Sequence, residues 1–257
     1  MLGKLWKFTL FFLLCLIVAL LFNLPIQQVQ PHVTLPPTVR LADIDGTILG
    51  GKAREIRINE FPFQNVSYSY QPSCIPLLKV CYRIDYDQGR LQAAYDLLNG
   101  DTEINDLRIV YPVSEVVAYV PNLLVNPTGR VELLVDEVSM IAGRPATLAG
   151  KLVWRDLGID NDGVRINIGD YELDFVGDTS AYDFELRDRD ATLDVDGEGK
   201  VSANGDYSFD IRILTDGNLD SNVRYVLNLV AKKTGPSSFR IEQSGRLPPR
   251  VRSRIFP

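Results

Sequence analysis

Asp43 and Asp45 stand two residues apart and lead into Gly46-Thr47, a D-x-D-G-T run. In phosphatases of the haloacid-dehalogenase type such a run pairs a nucleophilic aspartate with an acid/base aspartate, both holding magnesium. That chemistry needs a parallel α/β sheet with further acidic and lysine groups on later strand ends. The surrounding sequence alternates as antiparallel strands do, so Asp45-Gly46 is expected to be a hairpin turn. The same stretch mimics a phosphate-binding loop. Gly46 to Lys52 fits G-x-x-x-x-G-K, but Ala53 stands where the magnesium-binding hydroxyl belongs. No helix pattern follows, since Ala53-Arg-Glu-Ile56-Arg-Ile58 alternates like a strand. Asp194-Val-Asp196-Gly-Glu198 resembles the start of a calcium loop, yet Gly205 occupies the position of the liganding glutamate. A turn between two strands accounts for it. His32 is the single histidine and lies in a proline-bearing stretch, which removes histidine acid/base and triad chemistry from the body. The remaining aspartates fall on solvent faces and in turns. No catalytic, cofactor-binding or metal-binding residue is nominated, and the expectation is a protein that is not an enzyme.

Of the three cysteines, Cys15 lies in an apolar run, while Cys74 and Cys81 are seven apart with Pro76 between them. In an oxidising compartment Cys74 and Cys81 are expected to close a small disulfide loop. The alternative is two reduced, half-buried thiols. C-x₆-C without a nearby histidine is poor spacing for zinc.

The compartment follows from the N-terminal segment. Lys4 and Lys7 precede or open an apolar run that reaches Leu24, and no further charge appears before Arg40. As a helix, residues 5–24 span about 30 Å, the thickness of a bilayer core. The lysine bias places residues 1–4 in the cytoplasm and everything after the anchor across the membrane. A cleaved signal peptide would need small residues after the apolar stretch, and Asn23-Leu-Pro25-Ile-Gln offers none. Residues 25–38 hold four prolines and no charge, and are expected to form a stiff extended spacer. Apart from Lys4 and Lys7, all of the 27 Lys and Arg lie beyond the anchor with all 33 Asp and Glu. The exported body is therefore acidic, which argues against nucleic-acid binding.

The elements that must position anything functional are strands. Apolar residues alternate with polar ones through Tyr171–Phe175, Tyr182–Leu186, Leu193–Val195 and Tyr207–Ile213. Asn161-Asp-Gly163, Asp196-Gly197, Asn204-Gly205 and Asp216-Gly217 are expected to turn the chain between them. Two segments have helical spacing: Pro112 to Pro121, and Asp220 to Gly235 with Lys232 and Lys233 in its last turn and Gly235 as its stop. The expected architecture is mainly β: a highly curved antiparallel sheet, open or partly closed, over residues 39–245, with one or two short helices. A basic, proline-rich tail follows at 246–257.

The order of these segments is recognisable. An N-terminal anchor and proline-bearing spacer lead to Gly46-Thr47-Ile48-Leu49-Gly50-Gly51-Lys52-Ala53, and later to a Gly150-Lys-Leu-Val-Trp154 strand. This resembles protein N of the bacterial type II secretion system, the general secretory pathway protein N family. The resemblance implies a bitopic inner-membrane protein of Gram-negative bacteria with a periplasmic β domain. It would be an accessory of the machine that exports folded proteins through the outer membrane, with other inner- or outer-membrane secretion subunits as partners. It brings no enzymatic activity or cofactor. It also implies structural roles for Gly46 and Gly150, at bends or close packing, and for Trp154, as core filling. The alternative is a membrane-anchored lipid carrier that holds phospholipid on an apolar groove of a curved sheet.

Overall fold

Alternation at period two places successive side chains on opposite faces of a strand, and where one set is apolar the strands pair to bury it. The computed structural model describes residues 6, 9–13, 16, 19–20, 22–29, 39–58, 61–87, 89–114, 126–141, 144–161, 164–215 and 221–248. They form two compact units, Met1–Leu97 and Leu98–Pro257. Every described strand pairing is antiparallel, and in each unit the sheet is open among the described residues.

Unit one is a meander of β1 (Val39–Thr47), β2 (Gly50–Ile58), β3 (Phe61–Gln71), β4 (Lys79–Tyr86) and β5 (Gly89–Asp96). The first hairpin closes on Ile48-Leu49, with Thr47 opposite Gly50. Tyr68 donates its hydroxyl to the Thr47 carbonyl at 2.8 Å, and Tyr82 donates to that of Ile48 at 3.0 Å. Burial raises the pKa of both hydroxyls. Gly46 has φ +119°, and a Cβ there would also lie 2.5 Å from the Gly50 carbonyl oxygen. Ala53, Val66, Cys81 and Tyr86 are buried, and Phe63 meets Tyr86 edge-on at 5.1 Å.

Unit two runs β6 (Thr102–Pro112), β7 (Asn126–Ile141), β8 (Arg144–Asn161), β9 (Val164–Asp178), β10 (Ala181–Ala191), β11 (Leu193–Ser202) and β12 (Asp206–Thr215). A helix, named α2 here (Ser221–Val230), then crosses over to a two-residue strand, β13 (Lys232–Lys233), and to β14 (Ser238–Arg246), which pairs with β12. Val223 and Leu227 of α2 pack on Tyr171, Leu193, Val195, Ile213 and Phe239, with half-buried Trp154 and Leu186 beside them. A second cluster centres on Tyr182 and Val201, with Phe184, Tyr207 and Phe209 around it.

Several expectations need correction. Asp45-Gly46 is strand, not turn, because Ile48-Leu49 makes the hairpin. Asp196-Gly197 lies inside β11: Gly197 faces Ile211, whose Cγ1 would stand 2.9 Å from an added Cβ, so glycine serves close packing there. The helix of residues 220–235 stops at Val230; Lys232 and Lys233 pair with β14, and Gly235 donates to Ser238 in the following turn. Stopping there returns Phe239 to the core. The spacer is not extended at its start. Ile26–Val29 makes one helical turn, named α1 here; Pro25 bridges to Thr47, and Gln27 donates to the Ile44 carbonyl and to Asp45 Oδ1. Arg246 belongs to β14, and Leu247 packs with Tyr182 and Val201. Asn204-Gly205 does turn the chain, with Gly205 at φ +89°. Lys4, Lys7, Cys15, His32, most of 112–121, Asp162-Gly163, Asp216-Gly217 and the tail from 249 lie outside the described residues. So does part of the 5–24 segment; among the described residues no helix is long and apolar enough to cross a membrane.

Candidate functional site

The residues that invited a catalytic reading are used structurally. Asp43 has φ +50°, a left-handed conformation that Asp tolerates better than most side chains, and it pairs with Arg54 at 2.7 Å. Asp45 accepts from Gln27 at 3.0 Å and from the Gly46 amide at 2.9 Å. Lys52 stands on β2 opposite Asp45, so the glycine-rich stretch is a hairpin rather than a phosphate cradle. Asp194, Asp196 and Glu198 alternate along β11 on one face. Among the described residues no group of three or more His, Cys, Asp or Glu is placed to hold a metal ion.

What unit one offers is an apolar tip. Gln71 leads into a 3₁₀ turn, Pro72–Leu77, followed by Leu78 at φ +55°. In the structure Cys74 and Cys81 are joined as a disulfide with Cα atoms 6.0 Å apart, which ties the turn to the buried start of β4. The Leu78 amide donates back to Ile75, and Leu97 donates to the Leu78 carbonyl. This bracing holds Ile75, Leu77 and Leu78 at 53%, 66% and 50% exposure, beside exposed Tyr95 and Leu97. Large apolar side chains fixed in water at one place make an exposed apolar patch on unit one. Sequence reasoning stops at the two cysteines and misses these residues. The available signal is Ile75-Pro-Leu-Leu78, an apolar run inside a loop.

Unit two offers two contrasting faces, visible only once register is known. One transverse row reads Ile109, Leu133, Leu152, Leu173, Leu186, Gly197, Ile211, Ile241 across successive strands. The next reads Leu107, Val135, Gly150, Phe175, Phe184, Gly199, Phe209. Glycines sit against aromatic rings here: a Cβ on Gly150 would stand 3.0 Å from Phe175 Cζ, and one on Gly199 would run into Phe209. Helix α2 covers one end of this face, and most of the aliphatic side chains remain half-buried.

The opposite face is charged. Arg212 meets Asp196 at 2.7 Å, Arg187 bridges Asp174 and Glu185, and Arg240 grips Asp210 through two nitrogens at 2.7 and 2.6 Å. The Arg240 hydrogen bond lowers the Asp210 pKa. Among the described residues Glu172 is the buried acid. Burial alone would raise its pKa, but the bond from Arg189 and the charges of Lys151, Arg189 and Arg187 bring it below the ordinary value. Burial, then the charge of Asp188, pushes Tyr171 up to about 12. A shallow depression of about 450 Å³ on this face is lined by Asp174, Asp183, Glu185, Asp196, Asp210 and Arg212. Its acids are mostly already paired with arginine or lysine.

Each unit is an open antiparallel meander among the described residues; unit one carries a braced apolar tip, and unit two an apolar and a charged face. Comparison with known families goes further. The family model for type II secretion system protein N matches residues 37–242, and the chain belongs to that family. It is a component of the type II secretion system. A curated relative, the type II secretion system protein N of Aeromonas hydrophila, is 23% identical over 244 residues, covering 92% of this chain and 96% of the relative. No solved structure matches.

Proposed function

We propose that the chain is an accessory component of the secretion machinery, anchored in the inner membrane by residues 5–24. Its β body, from residue 39 to residue 247, lies in the periplasm and scaffolds other inner- or outer-membrane secretion subunits without catalysing a reaction. The observation that carries this reading is the tip of unit one, where Ile75, Leu77, Leu78, Tyr95 and Leu97 are all exposed. A protein that used this tip only for its own folding would bury it. The anchor draws support from the described residues between 6 and 22, which are helical and carry exposed Trp6, Phe11 and Phe12. An alkaline phosphatase fused after residue 38 should be active, and one fused before Leu5 should be inactive.

The decisive experiment is copurification. The full chain carrying Ile75→Asp and Leu77→Asp should keep its disulfide and melting temperature but lose the other secretion subunits that accompany the parent chain. Undiminished recovery of those subunits would overturn the role of the tip. Stoichiometric phospholipid in organic extracts of the purified body would point instead to lipid handling on the half-covered face of unit two.

A further inference from the structure

Strand β14 is paired along its whole length with β12, from Ser238 against Leu214 to Arg246 against Asp206. On its other side β13 covers only Phe239 and Arg240. Among the described residues nothing pairs with that side from Ile241 to Arg246, and Glu242, Gln243, Ser244, Gly245 and Arg246 are exposed. Such an edge is a template for another strand.

The direction of each backbone group along that edge follows from neighbouring bonds. Thr234 donates to the Ser238 carbonyl at 2.9 Å, on the β13 side, while Thr215 donates to Ser237 and Leu247 donates to Gly205, on the β12 side. Backbone groups alternate sides along a strand, so Glu242, Ser244 and Arg246 aim their N–H and C=O groups at the open edge. Their side chains share the charged face with Arg240, which contacts Glu242 at 3.0 Å.

We propose that this edge pairs with a second copy of the chain, antiparallel and centred on Ser244. In that register Ser244 faces Ser244, and Glu242 of each copy stands directly opposite Arg246 of the other. All three outward-aimed residues then exchange both backbone bonds, about six hydrogen bonds in all. Opposite charges facing one another across strands stabilise the pairing. Alternative registers fail on the same residues. A shift of the centre by half a residue sets outward-aimed groups against inward-aimed ones, and a shift by one leaves only two outward-aimed pairs, with Glu242 or Arg246 facing Ser244 rather than an opposite charge. A shift by two sets Glu242 against Glu242, or Arg246 against Arg246. The run Glu-x-Ser-x-Arg is thus complementary to itself in one antiparallel register, the requirement for a closed two-fold contact. Pairing stops where β13 occupies Arg240, and a notch of about 320 Å³ between Val230, Lys232 and Ile241 marks that end. An edge this short makes a small interface, so the contact is weak in dilute solution and strengthened when copies are held close together.

The test is cysteine cross-linking of the full chain in cell envelopes, in a Cys15→Ser background. Directly opposed, hydrogen-bonded residues have Cα atoms about 5.5 Å apart, within disulfide range. Ser244→Cys should give a disulfide-linked dimer several-fold more abundant than Gln243→Cys, whose side chain lies on the other face. Adding Glu242→Arg should cut the Ser244→Cys yield several-fold, and adding Arg246→Glu as well should restore it. Within one chain the double reversal only brings like charges together, a guanidinium at position 242 beside Arg240 and a carboxylate at position 246 beside Asp206. Recovery can therefore come only from contacts between copies. Melting temperatures of the variants check that the sheet is intact. A Ser244→Cys yield no higher than that of Gln243→Cys, a cross-link to a different protein, or failure of the double reversal to restore the dimer would each overturn the proposal.

Discussion

Reducing the Cys74–Cys81 bridge changes one covalent bond and no other atom of unit one, so its effect can be worked from loop closure. The cysteines are separated by 7 in sequence. Chain-entropy arithmetic for a loop of that size gives about 2.4 kcal/mol of stabilisation, through constraint on the unfolded chain. Unit one is small; if it melts by itself, that loss lowers its midpoint by roughly 10–20 °C, and by roughly 5–10 °C if the whole body melts as one. Tryptophan occurs only at positions 6 and 154, so a Trp6→Phe chain reports unit two through Trp154, while circular dichroism reports both units. Thermal scans with and without dithiothreitol should show the shift in circular dichroism. The Cys74→Ala/Cys81→Ala variant should show at least as large a shift, because Cys81 is also buried. Oxidised and reduced proteins that melt together within experimental error would refute the reasoning. They would mean that the backbone bonds of Leu78 to Ile75 and of Leu97 to Leu78 order the tip without help. If the bridge does hold the tip, reduction should also release the copurifying secretion subunits.

Three further outcomes follow from packing and charge. Gly150→Ala puts a Cβ 2.8 Å from the Val135 Cα, a backbone atom that cannot rotate away, and should lower the urea midpoint by the equivalent of about 1–3 kcal/mol. Leu227→Ala empties a site that is 6% exposed beneath α2 and should cost about 2–5 kcal/mol. Leu229→Ala, two residues on and 56% exposed, should stay within about 0.5 kcal/mol of the parent in the same titration. Glu172 is held below its ordinary pKa in the folded state, so it contributes stability above its unfolded pKa of about 4.3, and that contribution is lost as pH falls through the folded value. Glu172→Gln should therefore be less stable than the parent near neutrality, with the gap closing below about pH 4 in chemical denaturation.

The strands of unit two are legible because their apolar residues recur at period two, and so is the core-facing stripe of the helix after β12. Turns are less so, and the reason is specific to glycine. Asp-Gly reads as a turn wherever it occurs, but a glycine has two uses in a sheet: freedom of φ, and absence of a Cβ. Gly205 serves the first use and Gly197 the second, packed against Ile211. Local sequence does not separate the two, because the deciding neighbour is on another strand. The true first hairpin, Ile48-Leu49, carries no turn residues at all; the hydroxyls of Tyr68 and Tyr82 hold it from β3 and β4. The same blindness hides the apolar surfaces. Ile109, Leu133, Leu152 and Leu173 look like ordinary strand residues in sequence, and only their alignment across strands makes them a continuous row.

That row bears on why an acidic, water-facing β body belongs in an assembly. An antiparallel sheet can leave one face to solvent if that face is polar, as the arginine–carboxylate side of unit two is. Its other face has to be covered, and α2 reaches only the end near Tyr171, Ile213 and Phe239. The helix itself leaves Tyr225 and Leu229 exposed on its outer side, so it does not complete the cover. Glycines alternate with aromatics along the rest of this face, and each ring that fills a glycine's place removes apolar area from water without a second layer. The sheet is thus stabilised within its own plane. Its folding therefore does not call on Tyr225 and Leu229, which stay exposed on the outer side of α2.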